Sequence, residues 1–234
     1  AFNGEIYNHL TLRKQLDESG AAPGWRGHAD TETLLACFEA WGIERTLRAT
    51  VGMFAIALWD RQEKVLTLAR DRMGEKPLYY GWQGRTLLFG SELKSLKVHP
   101  DFLGEVDRDA LTLLLRHNCI PAPFSIYKGI SKLMPGHFLR LTLTNSDEAR
   151  RAHPQPYWRL NDAVEEGIQN PFLGSEAEAI ALLERQLSES IADQMLADVP
   201  LGAFLSGGVD SSTTVALMQA QSQRPVRTFT IGFD

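Results

Sequence analysis

Two kinds of domain are predicted in tandem: an α+β domain over residues 1–144, then the opening of a doubly wound α/β domain over residues 175–234. Three observations carry this. In the first part, β-rich runs come in adjacent pairs joined by short polar turns, with helical stripes around them, as in antiparallel hairpins packed with helices. From Asn145 to Gly174 the apolar periodicity fails and three prolines intervene, which reads as a connection between domains. Beyond it the order strand, glycine loop, helix, strand begins a parallel α/β unit.

Each element has its own signal. "DTETLLACFEAWG" places Leu34, Leu35, Phe38 and Trp41 on a helical stripe that Gly42 ends, so a helix is predicted over Thr31 to Trp41. "VGMFAIALWD" and "KVLTLARD" flank the polar turn Arg61 to Glu63 and form a hairpin; "PLYYGW" and "RTLLFG" repeat that pattern around Gln83-Gly84. Ser91 is placed to cap a short helix, "ELKSLK", and "DRDALTLLLRHN" makes another. The strand "GHFLRLTL" closes the half. In the second part, Ser175 and Glu178 stand in a capping-box arrangement before Ile180, Leu183, Leu187 and Ile191, which hold helical spacing. A short strand, Leu201 to Leu205, a glycine loop, a helix from about Ser211 and the strand "VRTFTIGF" follow.

Composition narrows the function. The chain has 234 residues, 44% of them hydrophobic and 23% charged, as in ordinary globular domains. A net charge of −5 argues against a nucleic-acid surface, since phosphate binding needs clustered Lys and Arg. No apolar run approaches a membrane span, and the first residues do not read as a signal peptide. Cys37 and Cys119 give neither a disulfide framework nor a metal spacing, so a reducing, cytoplasmic setting is expected.

The most informative stretch is "SGGVDSS", Ser206 to Ser212, directly after an apolar strand. A glycine pair at a strand-to-helix junction lets backbone N–H groups converge on an anion, and the helix N-terminus adds donors and partial positive charge. The hydroxyls of Ser206, Ser211 and Ser212 can bond phosphate oxygens. Asp210 has the wrong sign for phosphate, so its natural task is to hold a Mg²⁺ that bridges to it. The competing account is a tight turn with Asp210 or Ser211 as a helix cap. No Gly-Lys-Ser/Thr is present, so this is not a Walker loop.

The string resembles the pyrophosphate loop of ATP pyrophosphatases, which cleave ATP between the α- and β-phosphates. The other end of the chain selects among them. "NGEIYNH", Asn3 to His9, resembles the glutamine site of class II amidotransferases. Amide hydrolysis passes through a tetrahedral oxyanion that needs preorganised donors. By resemblance, the Asn3 side chain and the Gly4 N–H form that oxyanion hole, and Asn3, Glu5 and Asp30 bind glutamine, Asp30 through its ammonium group. Taken alone, Asn3-Gly4 is most often a hairpin turn, and Asp30 suits the N-cap of its helix; "EIYNH" and the distant pyrophosphate loop favour the site.

"RDRMGEKPLYYG", "FGSELKSL", "LMPGHFL" and "PYWRL" extend the match, and the chain is similar to the glutamine-hydrolysing asparagine synthetase family over nearly its whole length. Arg70, Asp71, Glu75 and Lys76 serve recognition only; a solvated or salt-bridged loop accounts for them. The resemblance implies an N-terminal-nucleophile glutaminase-type domain followed by the beginning of an ATP-pyrophosphatase domain. In such a protein, ammonia from glutamine passes to a site where ATP and Mg²⁺ adenylate a carboxylate, that of aspartate, and ammonia displaces AMP. Leu205, Ser206, Gly207, Gly208, Asp210, Ser211, Ser212 and Ile231 would contact ATP, although core strand accounts equally for Leu205 and Ile231. The partners so implied are glutamine, aspartate and ATP, with a homodimer as an allowed assembly. The family's nucleophile is an N-terminal cysteine upstream of "NGEIYN", whose α-amino group serves as base. Residue 1 here is Ala, so an internal fragment lacking that cysteine and the later part of the synthetase domain is expected. A related enzyme amidating another carboxylate, and a non-catalytic paralogue binding ATP or glutamine, are the alternatives.

Overall fold

The computed structural model describes residues 1–196 and 199–232. They fall into two compact units, Ala1–Glu166 and Gly167–Asp234, so the boundary lies inside the stretch read as a connection.

The first unit opens with strand β1 (Phe2–Ile6) and helices α1 (His9–Glu18), α2 (Asp30–Trp41) and α3 (Ile43–Ala49). Then come β2 (Gly52–Asp60), β3 (Val65–Arg70), β4 (Tyr79–Gln83), β5 (Thr86–Gly90), α4 (Leu93–Lys97) and α5 (Arg108–His117). Strands β6 (Ile130–Lys132) and β7 (His137–Thr142) follow, then α6 (Ser146–Arg151), β8 (Gln155–Pro156) and α7 (Leu160–Gln169), which carries the boundary. A five-stranded antiparallel sheet runs β1-β2-β3-β7-β8, and a three-stranded one runs β5-β4-β6.

Both expected hairpins form. The β2–β3 turn is fixed by Asp60 Oδ1, which accepts the N–H groups of Gln62 and Glu63 at 2.8 and 3.0 Å. Strand β3 is buried at every position, because apolar groups cover both sheet faces. On one face Ile6, Leu12, Leu16, Leu34, Leu47 and Phe54 pack together. On the other, Leu68, Leu78, Leu133 and Leu139 pack with Tyr80 and Trp82 of the small sheet. This α+β arrangement is the predicted one.

Several expectations are corrected. Helix α1 carried no prediction; its apolar positions Leu12 and Leu16 are one turn apart and wholly buried. The stretch 145–174, read as a connection between domains, carries elements of its own: α6 is capped by Asn145, β8 extends the large sheet, and Tyr157 is buried with its hydroxyl on Arg70 O at 2.9 Å. Ser91 does not cap a helix, since α4 begins one residue later with Glu92 at its N-cap.

The loop after β3 is solvated only in part: Glu75 is exposed, but Arg70 and Asp71 are not. Arg70 is buried and donates to the carbonyls of Gly74, Lys76 and Leu133 at 2.6 to 2.8 Å. Burial pulls its guanidinium below its ordinary pKa, while the neighbouring Asp71 opposes the shift. The Asp71 carboxylate is fully buried and accepts the backbone N–H groups of Phe54, Glu75 and Lys76. Both charges serve the fold, saturated by the main chain.

The second unit holds α8 (Glu176–Gln194), β9 (Gly202–Phe204), α9 (Val209–Gln221) and β10 (Arg227–Phe229). The capping box of Ser175 and Glu178 forms as predicted, and its N–H and hydroxyl donors hold the Glu178 carboxyl below its usual range. Strands β9 and β10 pair in parallel with α9 between them in sequence, the expected α/β start. Phe233, the last residue of the expected second strand, lies outside the described residues.

Candidate functional site

Asn3-Gly4 is part of a strand, not a hairpin turn. Strand β1 forms an edge of the large sheet, with Asn3 opposite Ala55 and Gly4 opposite Phe54. A Cβ at Gly4 would lie 2.0 Å from Met53 O, so only glycine permits this approach. The ladder's phase decides where the Gly4 N–H points. Bonds from Ala57 N to Ala1 O and from Tyr7 N to Val51 O, both 2.9 Å, mark hydrogen-bonded pairs at the two ends. Alternation then makes Phe2, Gly4 and Ile6 the non-hydrogen-bonded positions, whose N–H groups face away from β2. Three bonds agree with it. The Ile6 N–H donates outward to Asp30 Oδ2 at 3.0 Å, and Phe54, opposite Gly4, spends both its backbone groups on Asp71. The Gly4 N–H therefore points to the open edge of the sheet.

Asp30 comes to the same edge from α2. It is the first helical residue rather than the N-cap, which is Ala29, and it makes no capping bond. Its position is set from below by Arg13, a buried cation that donates to Gly27 O and Ala29 O at 2.8 and 3.0 Å and to Thr33 Oγ1 at 2.7 Å. Glu32 ties the same loop through the N–H groups of Arg26 and Gly27; these bonds first, and Arg13 after them, hold its carboxyl low.

Asn3 and Glu5 lie on the exposed face of β1, one residue either side of Gly4. The Asn3 carboxamide donates from Nδ2 to Ser91 Oγ at 2.9 Å. Tyr7 follows, and partial burial raises its phenol pKa, with Glu75, Glu5 and Asp71 adding to the effect. Asn8 locks the end of the strand: its side chain donates to Ala49 O and accepts from Val51 N, each at 2.9 Å. The arrangement thus presents an amide donor, a backbone donor and two carboxylates along one sheet edge. Neither cysteine joins it by chemistry. Cys37 is fully buried on α2, and burial pushes its thiol up to about 11, whereas Cys119 is exposed after α5.

In the second unit the loop Ser206 to Gly208 leads into α9, which starts at Val209, two residues before the predicted position. Gly208 is the N-cap and can offer no side chain, so neither Asp210 nor Ser211 caps the helix. Gly207 has φ +81° with open space where a Cβ would be. Ser211, in the helix's first turn, reaches back: its Oγ accepts Ser206 N at 3.3 Å, meets Ser206 Oγ at 3.0 Å and donates to Gly208 O at 3.2 Å. Ser212 N closes the first helical bond to Gly208 O. Leu205 and Ile231 lie just beyond the strand ends and neither is buried; Leu205 N donates to Phe229 O at 2.9 Å, and Leu205 O accepts from Thr230 Oγ1 at 2.7 Å. Among the described residues no three His, Cys, Asp or Glu gather as a metal cage. Asp210 is exposed in the first turn of α9, followed in sequence by Ser211 and Ser212, and carboxylate and hydroxyl oxygens are of the donor type Mg²⁺ takes.

Residues 1–158 match the family model of the glutamine amidotransferase domain. The chain belongs to that family. Residues 182–234 match the model of asparagine synthase. The chain is 32% identical over its whole length to glutamine-hydrolyzing asparagine synthetase 3 of Bacillus subtilis (strain 168), covering 36% of that protein. It is equally 32% identical to asparagine synthetase 1 of the same organism, covering 34% of it. It spans about a third of the length of these relatives. Among solved structures, glutamine PRPP amidotransferase from B. subtilis complexed with ADP and GMP is similar with a TM-score of 0.46 and 18% identity, over 68% of this chain and 28% of that one.

Within this glutamine amidotransferase domain, local reading missed Ser91, Asp71 and Asn8. Each meets its partner across a long sequence separation: 88 residues for Ser91 and Asn3, 17 for Asp71 and Phe54 N, 43 for Asn8 and Val51. Helix and strand periods carry no trace of such pairs.

Proposed function

We propose that the first unit hydrolyses the side-chain amide of glutamine and that the second belongs to a site using ATP to activate a carboxylate, with aspartate converted to asparagine. The observation that supports this most is the outward-facing Gly4 N–H beside the Asn3 carboxamide. Two donors at an open sheet edge can hold the oxyanion that forms when a thiolate attacks the amide carbon. The thiolate, in this reading, comes from the family's N-terminal cysteine. Asp30, held against the same strand, binds the ammonium group of glutamine, and Glu5 holds the substrate from the neighbouring position.

In the second unit, Ser206, Gly207, Gly208, Asp210, Ser211 and Ser212 cradle pyrophosphate, and Leu205 and Ile231 contact adenosine. The open N-terminus of α9 supplies unpaired N–H groups where negative charge would sit. Mg²⁺ would be held by Asp210, neutralising charge on the departing pyrophosphate. Displacement of AMP from the acyl-adenylate by ammonia completes the reaction. Ammonia must be kept from water, because ammonium has no lone pair for attack.

The test is to supply the whole protein with glutamine, ATP and aspartate and to follow glutamate, pyrophosphate and asparagine separately. Asparagine should form with pyrophosphate, and Asn3→Ala should lower glutamate formation about a hundredfold, leaving a measurable rate, while added ammonia still supports synthesis. Pyrophosphate release indifferent to aspartate would remove aspartate as the acceptor.

A further inference from the structure

We propose that Ser91 is a positioning residue for glutamine hydrolysis: its hydroxyl holds the Asn3 carboxamide in the orientation that stabilises the oxyanion. The inference rests on the reading of Asn3 as an oxyanion donor. Ser91 has no local task. It follows β5 directly, yet the N-cap of α4 is Glu92, and the hydroxyl that bonds Glu92 O is that of Ser95, at 2.6 Å. Its own Oγ instead accepts Asn3 Nδ2 at 2.9 Å. That bond joins the edge strand of the large sheet to the residue that follows the edge strand of the small one.

The surroundings give the bond its weight. Asn3 and Ser91 line one cleft of about 240 Å³ with Phe2, Ala55, Leu78 and Phe89, and theirs are the only polar side chains in its lining among the described residues. Asn3 is itself exposed and the walls offer it no other polar side chain, so the Ser91 hydroxyl is the protein group that decides how the amide is turned. A carboxamide nitrogen carries two hydrogens. Committing one to Ser91 fixes the amide plane and leaves the second for the oxygen that becomes charged. Preorganisation of this kind acts on the rate of the chemical step rather than on ground-state binding of glutamine.

The experiment compares Ser91→Ala, Ser91→Thr, Asn3→Ala and the double variant in the whole protein, measuring glutamine kcat and KM, ammonia-driven synthesis and thermal melting. Ser91→Ala should lower kcat about 3- to 10-fold, the worth of one neutral hydrogen bond, with KM, melting temperature and ammonia-driven synthesis unchanged. Ser91→Thr, which keeps the hydroxyl, should stay within about twofold of the parent. In the Asn3→Ala background, Ser91→Ala should cost nothing more, because the bond it removes is already absent. A full kcat in Ser91→Ala, or an equal loss in the Asn3→Ala background, overturns the inference while leaving Asn3 as the donor. Undiminished glutamine hydrolysis by Asn3→Ala overturns the underlying reading and Ser91's role with it.

Discussion

Asp71 takes up both backbone hydrogen-bonding groups of Phe54: its N–H donates to Phe54 O at 2.9 Å, and its Oδ2 accepts Phe54 N at 3.1 Å. The same carboxylate accepts Glu75 N and Lys76 N at 2.9 Å, so it closes the loop after β3 onto the strand that faces Gly4. Asp71→Asn replaces an acceptor oxygen with a donor that meets backbone N–H groups in a fully buried place. It should destabilise the first unit by about 2 kcal/mol, read from a urea melt of the whole protein. A stability change within error would show that the clamp does not hold the loop.

Asp30 serves a strand and a proposed substrate at once, and Asp30→Asn separates the two. Asparagine keeps an oxygen for the Ile6 N–H, now at 3.0 Å from Oδ2, but removes the negative charge. Glutamine KM should rise tenfold or more, about the 1.4 kcal/mol carried by one charge-assisted contact, with the melt nearly unchanged. Asp30 makes no capping bond, so the only helix cost expected is the first-turn charge interaction, about 0.3–1 kcal/mol. An unaltered KM would assign Asp30 to the strand alone.

Much of this was legible in the sequence, and the reason differs by element. The two hairpins and the capped helix α8 were readable because each is written within about twenty residues, by alternation, turn residues or the Ser175–Glu178 box. Asn3, Gly4 and Asp30 were singled out by motif, but their meeting at one sheet edge depends on register, which no local pattern fixes. Arg70 and Asp71 were misjudged because charge ordinarily signals solvent; here main-chain carbonyls and N–H groups replace water around both. The elements within 145–174 were not readable because β8 is so short and α7 so exposed that neither leaves a buried stripe.

Cys37 should not take part in catalysis. Its thiol is wholly buried and pushed up to about 11 by burial, so the thiolate needed for attack is scarce at neutral pH. Cys37→Ala should leave glutamine kcat unchanged and cost about 1 kcal/mol of stability through lost packing. In the native protein an alkylating reagent should label Cys119 first. The raised pKa also has a sign in stability. The neutral thiol favours the fold throughout the range below its ordinary pKa, and that contribution is lost only as pH rises from there toward 11.

Asp210→Asn tests the second unit without disturbing the first. Asp210 sits exposed in the first turn of α9, beside an N-terminus with no side-chain cap, and it is the one acidic residue of that turn. If it holds Mg²⁺ against pyrophosphate, the neutral amide should lower pyrophosphate release by a hundredfold or more, about 3 kcal/mol of transition-state charge stabilisation. Glutamate formation from glutamine should continue near the parent rate, because none of the bonds around Asn3, Gly4 or Asp30 involves this loop. Loss of the favourable carboxylate–helix interaction should cost only about 0.3–1 kcal/mol, too little to unfold the unit. Ser211→Ala serves as the companion variant. It removes the hydroxyl that bonds Ser206 N, Ser206 Oγ and Gly208 O, so it should loosen the loop and raise the KM for ATP with a smaller effect on kcat. Parallel assays of pyrophosphate and glutamate decide the matter. Unchanged pyrophosphate release in Asp210→Asn would take the metal away from this loop, and equal loss of both products would point to a folding defect rather than to chemistry at the ATP site.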